Sequence, residues 1–206
     1  MTASSTPCWK SAPEAVRRSL GWRLAALLWL ALHAALAAAD LGVKSAAVSA
    51  GEDGFVLNAE FQVELNQRLE EVVARGVPLY IVADFELRRP RWYWFDEVVG
   101  QRSLTWRLSY HALTRQYRLS TGALHQNFAT LDEALRVLSR IRDLPVAERS
   151  VLRNGLAYGA RLRMQLDLTQ LPKPLQVSAI GDRDWNLGSD WHEWAYTPVA
   201  EAPEAK

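Results

Sequence analysis

Four stretches of this chain alternate apolar and polar residues with a period of two, and no other feature constrains the fold as much. Over 55–65 the odd positions are Phe55, Leu57, Ala59, Phe61, Val63 and Leu65, and the even ones are Val56, Asn58, Glu60, Gln62 and Glu64. Over 79–88, Leu79, Ile81, Ala83, Phe85 and Leu87 oppose Tyr80, Val82, Asp84, Glu86 and Arg88. Leu104, Trp106, Leu108 and Tyr110 alternate with Thr105, Arg107 and Ser109. Over 158–168, Tyr158, Ala160, Leu162, Met164, Leu166 and Leu168 oppose Arg161, Arg163, Gln165 and Asp167. Successive side chains on a strand point to opposite faces, so each stretch puts one face on a core and the other in water. Weaker strand patterns lie at 43–50, 92–99, 113–120 and 122–128, and 190–196 reads as a short edge strand.

Strands with hydrophilic second faces belong in antiparallel sheets, whereas a parallel sheet buries both faces under crossover helices. Helical patterns are too few for such crossovers. Asn66 can cap a helix carrying Leu69, Val72 and Val73, with Gly76 as its stop. Thr130 and Glu133 have capping-box spacing ahead of an apolar stripe of Leu131, Ala134, Leu135, Leu138 and Ile141. The expected fold is therefore mainly β, a β-rich α+β chain. It is an antiparallel two-layer β-sandwich-like domain with about two short helices closing its edges or ends. After Leu168, Pro172 and Pro174 break the pattern, and Gly181, Asp182, Asp184 and Gly188 mark turns. One domain over 40–198 and a polar tail over 199–206 follow from this reading.

The first 39 residues differ from the rest. Arg17, Arg18 and Arg23 precede an uncharged run over 24–39 that ends in Ala37-Ala38-Ala39. A basic start, an apolar middle and small residues at −3 and −1 are the parts of a secretory signal, with cleavage expected between Ala39 and Asp40. The run is short of the ~20 apolar residues that a permanent span needs. The alternative is an inner-membrane anchor formed by an uncleaved 24–39. Cys8 precedes the run and is not at the cleavage point, which argues against a lipoprotein.

Export changes the charge. The whole chain carries +1, and the leader takes away four basic residues and one acidic one, leaving −2 for the mature chain. The single Cys leaves with it. A mature chain without Cys has no thiol nucleophile and no Cys-based metal site. A slightly acidic domain also lacks the Lys and Arg excess that phosphate backbones require, so nucleic acid is not an expected partner.

No phosphate loop, dinucleotide fingerprint, nucleophile elbow or paired-His zinc motif occurs in the sequence. His111, His125 and His192 stand apart from one another, and a turn or cross-strand role fits the first two. The densest set for a metal or general base is Asp182, Asp184, Asp190, His192 and Glu193, which would serve a hydrolase or metal-dependent enzyme. No cofactor and no catalytic residue is marked by local spacing. The most unusual composition is Arg88-Arg89-Pro90-Arg91-Trp92-Tyr93-Trp94-Phe95. One reading is a packed strand, with Trp92 and Trp94 on one face, Tyr93 and Phe95 on the other, and Arg89 and Arg91 pairing with Asp96 and Glu97. The other is a recognition surface for a sugar, a lipid interface or a protein, because Trp, Tyr and Arg anchor interfaces at low rotamer cost. Arg89, Arg91, Trp92, Trp94 and Trp191 are the binding candidates. A cell-wall glycan binder would use Trp92, Trp94, Trp185, Trp191 and Trp194.

Several segments together carry a resemblance. Arg91-Trp92-Tyr93-Trp94-Phe95-Asp96 is followed by Leu108-Ser109-Tyr110-His111 and by Thr114-Arg115-Gln116-Tyr117-Arg118-Leu119-Ser120. Then come Leu124-His125-Gln126-Asn127-Phe128, a helix, Leu171-Pro172-Lys173-Pro174-Leu175-Gln176 and a Trp-rich C-terminal stretch. With the Ala-rich leader, this order resembles the domain of unknown function 4390 family of exported proteobacterial proteins over essentially all of 40–198. The resemblance implies a periplasmic protein of unassigned function, and an envelope partner such as a membrane sensor kinase. It supplies no catalytic residues. The expected function is a non-catalytic binding or interaction module, with the enzyme and the glycan binder as alternatives. If the leader is a signal, N-terminal sequencing of the exported protein will start within a few residues of Asp40, and an intact Met1 would refute cleavage.

Overall fold

The period-two pattern is realised as two antiparallel sheets. The computed structural model describes residues 40–93 and 95–199. The expected leader with its cleavage point, Trp94, and all of the polar tail beyond Val199 lie outside the described residues. Strands β1 (Asp40–Ala50), β2 (Gly54–Glu64) and β7 (Arg140–Glu148) form a three-stranded sheet in the order β1-β2-β7. Strands β3 (Leu79–Arg89), β4 (Glu97–His111), β5 (Gln116–Thr121), β6 (Leu124–Phe128), β8 (Tyr158–Leu166) and β9 (His192–Tyr196) form a six-stranded sheet in the order β6-β5-β4-β3-β8-β9. The chain is thus a mainly β, sandwich-like α+β fold, as the alternation requires.

Burial follows parity. On β3 the residues Leu79, Ile81, Ala83, Phe85 and Leu87 are all buried, and Tyr80, Val82, Asp84, Glu86 and Arg88 are half-exposed. Strand β8 repeats this with Tyr158, Ala160, Leu162, Met164 and Leu166, and β2 with Phe55, Leu57, Ala59 and Phe61. These faces meet in one core, joined by Trp106 and Leu108 of β4 and Leu119 of β5. The two sheets approach closely at one corner, where a Cβ on Gly100 of β4 would lie 2.8 Å from the Val146 carbonyl oxygen of β7. Glycine at that position is what lets the two backbones touch.

Among the described residues, three α-helices close the gaps. Helix α1 (Gln67–Ala74) is capped by Asn66, whose side chain accepts from the Leu69 amide at 2.9 Å, and it buries Leu69, Val72 and Val73. It stops at Gly76, whose φ of 87° is the left-handed conformation that glycine adopts without strain. Helix α2 (Leu131–Leu138) carries the expected capping box between Thr130 and Glu133 and buries Ala134, Leu135 and Leu138. Helix α3 (Lys173–Ala179) exceeds the expected pair. Pro172 and Pro174 start it instead of breaking the chain, because proline needs no amide partner in a first helical turn.

Two further expectations are corrected, and one strand, β7, is present that the alternation did not mark. The stripe 131–141 is not all helix: α2 ends at Leu138, and Ile141 is a buried residue of β7. Strand β7 has no clean alternation because Pro145 interrupts it, Asp143 sits at a φ of 48°, and its pairing with β2 shifts register twice. No strand spans 92–99. Residues 90–96 are the loop between β3 and β4, and pairing resumes only at Arg89 opposite Glu97. The described residues all belong to one compact unit.

The outer edge of the β3–β8 pair is tied by charge. Glu86 accepts from Arg88 at 2.9 Å and from Arg161 at 2.7 Å, and Arg163 reaches Asp84 at 3.2 Å. Partial burial pushes the Glu86 pKa up, but the hydrogen bonds and charges of Arg161 and Arg88 outweigh it and hold the carboxyl below its ordinary 4.5. A carboxylate with a depressed folded pKa stabilises the fold above its unfolded value, and that stabilisation disappears as pH falls through the folded value. As pH falls from about 4.5 through the lower folded value the denaturation midpoint should fall, and Glu86→Gln should flatten that limb. An unaltered slope would show that the ion pairs contribute nothing. Trp106, 5% exposed, tests the core itself: Trp106→Ala should cost about 3–5 kcal/mol in chemical denaturation, and an unchanged midpoint would place the core elsewhere.

Candidate functional site

A hairpin loop that carries aromatic residues normally folds them back onto a sheet, since burying each one removes a large apolar area from water. Residues 90–96 do the reverse. Trp92 is 94% exposed, Tyr93 65% and Phe95 84%. The Trp92 and Tyr93 rings meet edge to face, with centroids 5.2 Å apart and planes inclined at 72°. The packed-strand reading is therefore overturned at Trp92, Tyr93 and Phe95, and Trp94 lies outside the described residues. Pro90 and the turn at Trp92 and Tyr93 end the ladder before the aromatic run begins, so alternation never applies to it.

The base of the loop is pinned. Arg89 and Arg91 both pair with the carboxylate of Glu97, across the last rung of the β3–β4 ladder. Hydrogen bonds from Arg91 and Arg89 hold the Glu97 carboxyl below the ordinary glutamate range. The two arginines are about one-third exposed and are committed to this clamp. They pin the base of the loop, and Trp92, Tyr93 and Phe95 are exposed beyond it. The clamp partner Glu97 was visible in the sequence as an acid just beyond the aromatic run. Tyr93 and Phe95 were legible only as part of that run.

Beside the clamp lies a groove of about 490 Å³ on the outer face of β3, β8 and β9. Its floor is Gly159, which pairs with Arg88 on one side and Ala195 on the other, and a Cβ there would meet nothing within 4 Å. Arg88, Arg161, Glu193 and Asp96 rim it. The sequence signal for this groove was a glycine at an outward position of an otherwise regular strand.

The remaining tryptophans do not join the loop. Trp191 lies under the guanidinium groups of Arg161 and Arg163, 4.1 and 4.4 Å from its ring centroid. Trp194 faces inward on β9 and meets Phe85 at 6.2 Å. Trp185 is fully buried and cannot belong to a surface platform. The acidic set is dispersed too. Asp182 caps a 3-10 turn, Arg183–Trp185, by accepting from the Asp184 amide. Glu193 pairs in register with Arg161 on the outer face, while His192 shares the inner parity with Trp194, 5.5 Å away. Among the described residues no three His, Cys, Asp or Glu side chains are grouped to hold a metal. Among them, too, no helix is long and apolar enough to cross a membrane.

No curated protein and no solved structure was found to match the chain. The family model described as Domain of unknown function (DUF4390) matches residues 38–195, which takes in both sheets, the aromatic loop and all but the last residue of β9. The chain belongs to the DUF4390 family.

Proposed function

We propose that this domain is an exported, non-catalytic binding module that docks a protein partner in the cell envelope through the aromatic loop 90–96. One observation carries the reading: three aromatic side chains stand in water on a loop whose base is held by a two-arginine clamp. Exposing that much apolar area is unfavourable in isolation, and a pinned loop loses little entropy when a partner covers it.

The chemistry of the loop favours protein over the other two occupants. A sugar ring stacks on a flat aromatic row, and the 72° between Trp92 and Tyr93 offers no such plane. An anionic lipid surface is drawn by unneutralised basic charge, and over 89–97 the two arginines are matched in number by Asp96 and Glu97, the latter in direct contact with both. Protein hot spots use aromatic anchors ringed by balanced polar groups. The tip is also displayed far from the expected leader junction. Asp40 opens β1 opposite Glu64, and the strand runs about 30 Å, at the usual rise per residue, to Ala50 opposite Phe55. The β7 partner of Phe55 is Ala147, which lies beside Gly100, three residues from the clamp at Glu97. A membrane sensor protein, periplasmic side exposed, is the partner that the family resemblance suggests.

The reading predicts that Trp92→Ala, Tyr93→Ala or Phe95→Ala each weakens partner binding by about 2 kcal/mol or more and leaves the denaturation midpoint unchanged. A photo-crosslinker at position 93 should yield a discrete adduct in the cell that Trp92→Ala abolishes, while the same group at Val177 should not. In a deletion strain, Asp190→Ala and His192→Ala should complement fully. If either abolishes function at normal protein level while the loop variants complement, the module reading fails and the enzyme alternative takes its place.

A further inference from the structure

The solvent-facing side of the six-stranded sheet is divided by charge. On β3 and β8, Arg88, Arg161 and Arg163 each sit on Glu86 or Asp84. On β4 and β5, Arg107 and Arg118 have no carboxylate partner among the described residues. The register brings these two together. Arg107 of β4 pairs with Ser120 of β5, which pairs with His125 of β6, so the three form one row across the sheet. Arg118 lies two residues from Ser120 on the same strand and therefore on the same face. Ser120 is thus ringed by Arg107, Arg118 and His125. Arg118 is pre-positioned, because its Nε donates to Asn127 Oδ1 at 3.1 Å and its terminal nitrogens remain for a ligand.

These groups line a cleft of about 360 Å³ with the hydroxyls of Tyr80, Thr105 and Ser120, and no Asp or Glu lines it. The groove beside the aromatic loop differs in this respect, since Asp96 and Glu193 face its arginines. Two guanidinium forks from neighbouring strands, an imidazole and three hydroxyls place donors on several sides of one space. A planar carboxylate is satisfied by a single fork, whereas a tetrahedral oxyanion has acceptors for donors from several directions.

We propose that this cleft is a second binding site, independent of the aromatic loop, for a phosphate-type oxyanion. The anion is either inorganic phosphate or the phosphate of a lipid headgroup, which present the same oxygens to the same donors. Calorimetric titration of the full-length protein with inorganic phosphate, at ionic strength held constant with chloride, should give saturable binding. Arg107→Gln and Arg118→Gln should each weaken it about tenfold or more, the loss expected for a charge-assisted hydrogen bond. Arg75→Gln, which removes the same charge from α1, should not. Co-sedimentation with phosphatidylcholine vesicles, with and without phosphatidylglycerol, separates the two sources. Phosphate binding lost in the Arg107→Gln/Arg118→Gln double variant supports the site with a small ligand. Binding only to phosphatidylglycerol vesicles, lost in the same variant, supports it with a lipid-borne phosphate. Binding to neither, or equal binding by the folded double variant, overturns it.

Discussion

Strand β3 is the constraint on which the rest of the structure depends. It lies between β4 and β8 near the middle of the larger sheet, and both ladders run along nearly its whole length. Its inward residues, from Leu79 to Leu87, are essentially without solvent contact. A one-residue slip would turn that whole set to water and bring Asp84, Glu86 and Arg88 into the core. The register is fixed from both sides at once. The hydrophobic set demands one parity, and on the opposite face Glu86 and Asp84 meet Arg161 and Arg163 only in that same parity. The pairs matter less for their strength than for the alternative registers they exclude.

That same strand delivers the loop. Because β3 and β4 are held to their last rung at Arg89 and Glu97, the chain between them starts from a fixed point and a fixed direction. The arginines on either side of Pro90 then converge on Glu97 and leave the aromatic residues beyond the clamp. The aromatic side chains therefore stand in solvent without making the loop a loose tether. A surface built this way is preorganised, and preorganisation raises affinity by reducing what binding must order.

Where one face of a strand was apolar and the other polar, the sequence was enough to read the structure. β2, β3 and β8 fall within a residue or two of their expected limits, and the caps at Asn66 and Thr130 are made as their spacing implies. Legibility failed where a residue had two meanings. Pro172 and Pro174 can end a segment or begin a helix, and only the helix they begin distinguishes the two. Ile141 continues a helical stripe and also suits a strand, and Ser139 ends the helix by bonding its own turn. Residues 92–95 have strand composition, yet no partner strand is in reach past Arg89. Composition could nominate that segment as a site but could not say whether it packed inward or stood in water. Arg89, Arg91 and Trp92 were nominated, and the structure puts the two arginines on Glu97 and leaves Trp92 exposed, while Trp94 lies outside the described residues. Trp191 was nominated with them, and its ring lies under the guanidinium groups of Arg161 and Arg163, away from the loop.

The polar faces of the sheet were legible as polar, but not as two regions of different character. Alternation says that Arg107, Arg118, Arg161 and Arg163 all point away from the core, and it treats them alike. Register along β3 separates them, because β8 comes to lie beside β3 from far along the chain with Arg161 opposite Glu86 and Arg163 opposite Asp84. β4 lies along the other side of β3, but there Asp84 and Glu86 stand opposite Ser103 and Gln101, and Arg107 stands opposite Tyr80. Register therefore decides which arginines meet a carboxylate inside the fold and which keep their donors for something outside it. Neutralised arginines fix the register and steady the clamp. Those that keep their donors, gathered around Ser120, form the part of this sheet that the fold itself does not require, and a binding role gives a physical reason for them to be there.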